Sequence, residues 1–196
     1  MTSPIGRPRA TPAKVGASAR EDVLAAAARL FATGGFAGTS TRQIADAAGL
    51  RQATIYYHFA NKEDILLELL LGSVTPTIER ARELVDLPDP VEALDRLVRA
   101  DVETLLDDPH NIGILYLSPE VAAQPFDPFR EAREELTQVY LSLVARISPR
   151  ASHLRGRLCI HQVESVIGLR RDGAVIDGIV EEIARACLLI AGAAHA

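Results

Sequence analysis

The sequence predicts an all-α protein, a small N-terminal helical domain followed by a larger helical body, with about nine helices. Three observations lead there. Apolar residues recur at i, i+3 or i+4, and i+7 in segment after segment, and no stretch alternates convincingly with period two. Ser, Asp or Asn stands at the start of several of these segments, and Gly or Pro follows their ends. Charge is also divided unevenly: residues 1–62 carry eight basic and three acidic side chains, residues 63–196 thirteen and twenty-three. A net +5 head on a −10 body can offer phosphate one face and repel it elsewhere.

Residues 1–17 contain Pro4, Gly6, Pro8, Pro12 and Gly16 with no apolar period, the pattern of a flexible basic arm. Ser18 and Glu21 then form a capping box, and Val23, Ala27, Leu30 and Phe31 make one stripe that stops at Gly34-Gly35. A second helix starts near Ser40, boxed by Gln43, buries Ile44, Ala45 and Ala48, and stops at Gly49. Only Gly49, Leu50 and Arg51 separate it from a third short helix through Phe59. Two short helices around a tight glycine turn form a helix-turn-helix, so 18–62 reads as one domain and 63–196 as another.

Asn61 and Asp64 cap a fourth helix that is apolar on nearly every face from Ile65 to Leu71, which predicts burial among other helices. Pro76, close to Gly72, predicts a bend or break in it. Asp89-Pro90 opens a fifth helix with Val91, Leu94, Leu97, Val98, Val102 and Leu105 inward, closed by Asp108-Pro109. Residues 110–118 read as a short sixth helix and 119–125 as a loop. Asp127-Pro128 opens a seventh that runs to about Ile147. An eighth runs from about Ser152 to Arg170, and a ninth, beyond Asp172-Gly173, from about Asp177 to Ala191.

Several function classes find no support. Cys159 and Cys187 have no metal-ligand spacing and fit reduced, buried thiols of a cytoplasmic protein. No apolar run reaches the roughly 18 residues of a membrane span, and 23–32 is too charged for a signal-peptide core, so no membrane partner is expected. There is no Gly-rich phosphate loop, no HExxH and no adjacent nucleophile and base, which argues against an enzyme and calls for no cofactor.

On the third helix Ile55 and Phe59 share the core face, leaving Gln52, Thr54, Tyr56, Tyr57 and His58 around them. Such donors and aromatics suit base edges and phosphates, and adjacent exposed tyrosines are unusual on a helix that binds nothing. The stretch AAARLFATGGFAGTSTRQIADAAGL followed by RQATIYYHFANKEDIL resembles the DNA-binding domain of TetR-type repressors over about fifty residues. The resemblance implies that Gln52 and Tyr56 read base edges, with Tyr57 near the groove. It implies phosphate or mixed contacts for Thr54 and His58, a phosphate clamp at Lys62, and backbone contacts for Thr41 and Arg42. The family usually has Ser or Thr at Arg51 and Lys at Gln52. Arginine cannot cap a helix N-terminus and opposes its dipole, but can reach a phosphate or guanine. Arg7, Arg9 and Lys14 of the arm resemble a minor-groove hook.

The last two helices hold more apolar surface than one neighbour covers. Leu154, Leu158, Ser165 and Gly168 on the eighth, with Val180, Ile183, Cys187 and Ile190 on the ninth, predict a four-helix seam between two copies. A homodimer would place its reading helices about 34–36 Å apart and favour a palindromic operator in double-stranded DNA. Ligands in this family usually sit among helices four to eight, which points to Tyr116, Phe126, Phe129, Tyr140, His161 and Glu164 as the pocket for a small hydrophobic or aromatic effector. His161 and Glu164 share a face, but no second histidine or carboxylate set stands in register for a metal. The expected function is therefore a repressor released by a small molecule. The alternatives are a ligand-independent regulator acting through a protein partner and, less favoured, a helical-bundle enzyme.

Overall fold

The computed structural model describes residues 18–150 and 152–193, so Arg7, Arg9 and Lys14 lie outside the described residues. Among the described residues the regular structure is eight α-helices and three 3-10 turns, with no strand. The chain forms two compact units, Met1–Leu66 and Leu67–Ala196.

The first unit contains α1 (Ala19–Gly34), α2 (Thr41–Ala48), α3 (Gln52–His58) and the start of α4 (Lys62–Leu84). Both expected capping boxes form, Ser18 with Glu21 and Ser40 with Gln43. Val23, Ala27, Phe31, Ile44, Ile55 and Phe59 meet in a closed apolar core, with the Phe31 and Phe36 rings 5.3 Å apart. Burying one such side chain contributes about 1.5–3 kcal/mol, which is what holds three short helices together. Gly49 ends α2 at φ 69°, in the left-handed region, and its N–H returns to the Ala45 and Asp46 carbonyls. The turn between α2 and α3 depends on that conformation, which a side chain disfavours. Gly38 is fixed by space instead, since a Cβ there would lie 2.7 Å from the Gly34 carbonyl oxygen.

The second unit contains the rest of α4, then α5 (Pro90–Asp107), α6 (Asp127–Ile147), α7 (Ser152–Arg171) and α8 (Ile179–Ala191). α6 packs on α7, α5 on α6, α7 and α8, and α7 on α8. Gly156 lets α7 approach α6 closely: a Cβ there would meet Leu141 Cδ2 at 2.6 Å and Leu141 Cα at 3.0 Å.

Four expectations are corrected. The sixth helix is only the 3-10 turn Ile112–Leu115. Asn111 before it is left-handed at φ 53°, and the Asp108 carboxylate takes the amides of His110 and Ile112, which closes a turn instead of propagating a helix. The expected loop after it holds two further 3-10 turns, Pro119–Ala122 and Gln124–Phe126. Pro76 does not break α4, which runs on to Leu84. Pro76 and Gly72 are both exposed, so the Gly72 carbonyl that loses its donor can be served by water. Finally, α4 is not buried all round, because Leu67, Leu69 and Leu71 stay half-buried while Ile65, Leu66 and Leu70 are enclosed.

Candidate functional site

The exposed face of α3 is the first candidate. Arg51 precedes it with extended backbone and makes no side-chain cap bond, as arginine must. Ile55 and the following Phe59 anchor the helix inward. Tyr57 is 85% exposed and Tyr56 53% exposed, an unusual amount of bared aromatic surface for one short helix. Gln52, Arg51 and Arg42 are exposed; Thr41, Thr54 and His58 are half-buried. The His58 ring meets Tyr57 edge-on at 5.0 Å.

Three of these side chains are linked. The Gln52 amide donates to Thr41 Oγ1 at 3.0 Å, and Thr41 Oγ1 lies 3.2 Å from the Tyr56 hydroxyl. Beside them Thr39, Ser40, Thr41, Tyr56, Asn61 and Lys62 border an open groove of about 540 Å³. The first turn of α2 opens onto that side with amides that have no intrahelical acceptor, a favourable place for an oxyanion. Lys62 has a role that sequence reasoning missed. Its ammonium donates to the carbonyls of Phe36 and Thr39, both at 2.8 Å, and sits 4.1 Å from the Phe36 ring centre. Two of its three protons therefore fasten the loop between α1 and α2, and a third is left over.

The second candidate is a polar cluster inside the body. Asp101 is enclosed in mid-α5, accepting from Tyr140 Oη at 2.9 Å and Thr77 Oγ1 at 3.3 Å. Burial pushes its carboxyl up to about 7, against the lowering effect of the Tyr140 bond. Tyr116 bonds Ser73 Oγ at 2.8 Å, and burial raises the pKa of its phenol. Its ring lies 5.1 Å from Phe129, and the Arg133 guanidinium covers it while pairing with Glu164. Polar groups of this kind are costly to enclose, and here each is satisfied by a partner within the body.

Tyr116, Phe129, Tyr140 and Glu164 thus belong to this cluster or its wall. Phe126 is buried at the turn before α6. His161 departs from expectation: its side chain is 64% exposed, with Nδ1 3.5 Å from Glu164 Oε2. Sequence reasoning missed Ser73, Thr77, Asp101 and Arg133. Asp101 carried a signal, being the one charged residue on the stripe Leu94, Leu97, Val98, Val102 and Leu105. Among the described residues no group of three metal-ligating side chains converges. No helix is long and apolar enough to cross a membrane among the described residues.

On α7, Leu154 and Leu158 are 61% and 45% exposed, and Ser165 and Gly168 are half-buried. On α8, Val180 and Ile190 are half-buried and Leu189 is exposed. Ile183 and Cys187 are corrected. They point into the protomer's own core, where Cys187 Sγ sits 3.5 Å from the Cys159 carbonyl and Cys159 Sγ 3.4 Å from that of Cys187. A heptad on one helix marks an apolar stripe but not which neighbour covers it, and here the middle of the stripe is covered within the protomer.

Residues 23–69 match the model of bacterial regulatory proteins of the tetR family. The transcriptional repressor KstR2 of Mycobacterium tuberculosis is 34% identical over 122 residues, 60% of each chain, so the alignment spans about three-fifths of that curated relative. The crystal structure of Mycobacterium smegmatis AmtR superposes with a TM-score of 0.88 at 40% identity, covering 95% of this chain and 92% of that one. AibR, solved with isovaleryl coenzyme A and operator DNA, has a TM-score of 0.70 over 88% of this chain and 97% of that one; at 18% identity the likeness is of fold.

Proposed function

Because the chain belongs to the TetR family of bacterial transcriptional regulators, we propose that it represses transcription as a homodimer on a palindromic operator and is released by a small molecule. The observation that carries the DNA-binding part is α3 itself. A helix of seven residues, set by the Gly49 turn, holds Ile55 inward and leaves Gln52, Tyr56 and Tyr57 bare. In the major groove those side chains reach base edges, while the α2 N-terminus and nearby cations meet phosphates. The basic arm adds minor-groove contact.

The exposed leucines of α7, with Val180, Leu189 and Ile190 of α8, form the seam between protomers. The effector enters the body, its apolar part among the helices and its polar atoms on the cluster around Tyr116, Arg133, Glu164 and Asp101. AibR, a protein of the same fold, is solved in complex with isovaleryl coenzyme A and operator DNA. Release is a population shift. Effector favours a conformation whose two α3 helices no longer fit successive grooves, with a coupling of about 1–3 kcal/mol. α4 begins in the first unit and ends in the second, which makes it the covalent route for that coupling.

A gel-shift titration on the DNA flanking the protein's own coding region tests this. A specific, salt-sensitive shift is expected, relieved by a small molecule found through thermal-shift screening. A shift that no small molecule relieves would favour control through a protein partner.

A further inference from the structure

The face of α3 holds a chain of hydrogen bonds that bears on which base it reads. Gln52 is the first residue of α3 and Tyr56 stands one turn on, so both project from the same side. Thr41, in the first turn of α2, lies between them, 3.0 Å from Gln52 Nε2 and 3.2 Å from Tyr56 Oη. A hydroxyl has one hydrogen to give. Thr41 Oγ1 accepts from Gln52 and keeps a second lone pair and one hydrogen, so its bond with Tyr56 Oη can run in either direction.

We infer that Thr41 is a positioning residue for base recognition, fixing the Gln52 amide so that α3 selects an adenine. This rests on the DNA-binding reading above and narrows it. One amide N–H of Gln52 is spent on Thr41. The free edge that remains is an acceptor, Oε1, beside a single N–H donor. Adenine offers the complement in the major groove, the N6 donor beside the N7 acceptor. Guanine offers two acceptors there, which leaves Oε1 facing another oxygen, and thymine offers only O4. An untethered glutamine would sample several rotamers and lose that order on binding; the Thr41 bond removes part of this cost beforehand.

The experiment is selection of duplexes from a random pool by the full-length protein, followed by affinity measurement on single-base variants of the selected site. Wild type is expected to require adenine at one position of each half-site. Gln52→Ala and Thr41→Val should each reduce discrimination at that same position by roughly tenfold or more, the loss of one bidentate contact, while preferences elsewhere in the site stay as they were. Thr41→Ser, which keeps the hydroxyl, should restore the preference. Uniform weakening by Thr41→Val across all variants would overturn the inference and reduce Thr41 to a phosphate contact. A base other than adenine at the Gln52-dependent position would overturn it too. Failure of wild type to enrich any duplex would instead remove the DNA-binding reading on which it stands.

Discussion

Lys62 shows how much one side chain can carry. Its ammonium bridges two carbonyls of the loop that delivers Ser40 to the start of α2. Lys62→Met keeps the stem and removes both charge-assisted bonds, so stability in urea should fall by about 1.5–3 kcal/mol. A variant of unchanged stability that only lowers the salt dependence of DNA binding would make Lys62 a phosphate clamp alone. Asp101 makes a pH-dependent prediction. Its folded-state pKa, about 7, is raised above the ordinary 3.8. The folded protein therefore holds this proton more tightly than the unfolded chain, and the stability so gained is lost as pH rises through that window. Asp101→Asn has no such proton to lose, so its stability relative to wild type should rise from pH 5 to about pH 8. A difference that stays flat with pH would contradict an uncharged Asp101 in the acid form. The sequence revealed these residues unequally. Tyr56 and Tyr57 stood out as bare aromatics beside an apolar i, i+4 pair, whereas Arg133 and Ser73 matter only because distant turns bring them to Tyr116.

At the scale of elements, local chemistry settled most boundaries. Ser18, Ser40 and Asp89 cap the helices they were expected to cap, since each satisfies amides within its own first turn. Elements that depend on tertiary context were less legible. The Asp108 carboxylate turned residues 110–118 into a 3-10 corner, and packing on neighbours carried α4 through Pro76. The turn between α2 and α3 is the most exacting element. Gly49→Ala must hold a left-handed backbone at φ 69°, so it should cost about 1–2 kcal/mol and weaken operator binding, while Gly49→Asn should cost less. Equal stability for alanine and glycine would show that the turn relaxes. Pro76→Ala tests α4 as the coupling element: effector response should change with little effect on the fold. An unchanged response together with unchanged operator affinity would remove its special role.

For the whole molecule, the claims join through symmetry. One α3 of seven residues touches few bases, and affinity in the range of a working repressor requires two. On the proposed seam the exposed α7 leucines are what a partner would cover, so Leu158→Asp should yield a monomer in sedimentation and lose operator affinity without losing helix content. Retained dimerisation would move the seam elsewhere. Ile183 and Cys187 were misplaced because a heptad on one helix cannot say whether its partner lies in the same chain or the next. That paired α3 helices read one duplex is tested by a titration of wild-type protein onto upstream DNA at several salt concentrations. Saturation is expected in multiples of two protomers per duplex, with log affinity falling steeply against log salt. Protein that stays monomeric and binds no duplex even at low salt would contradict it.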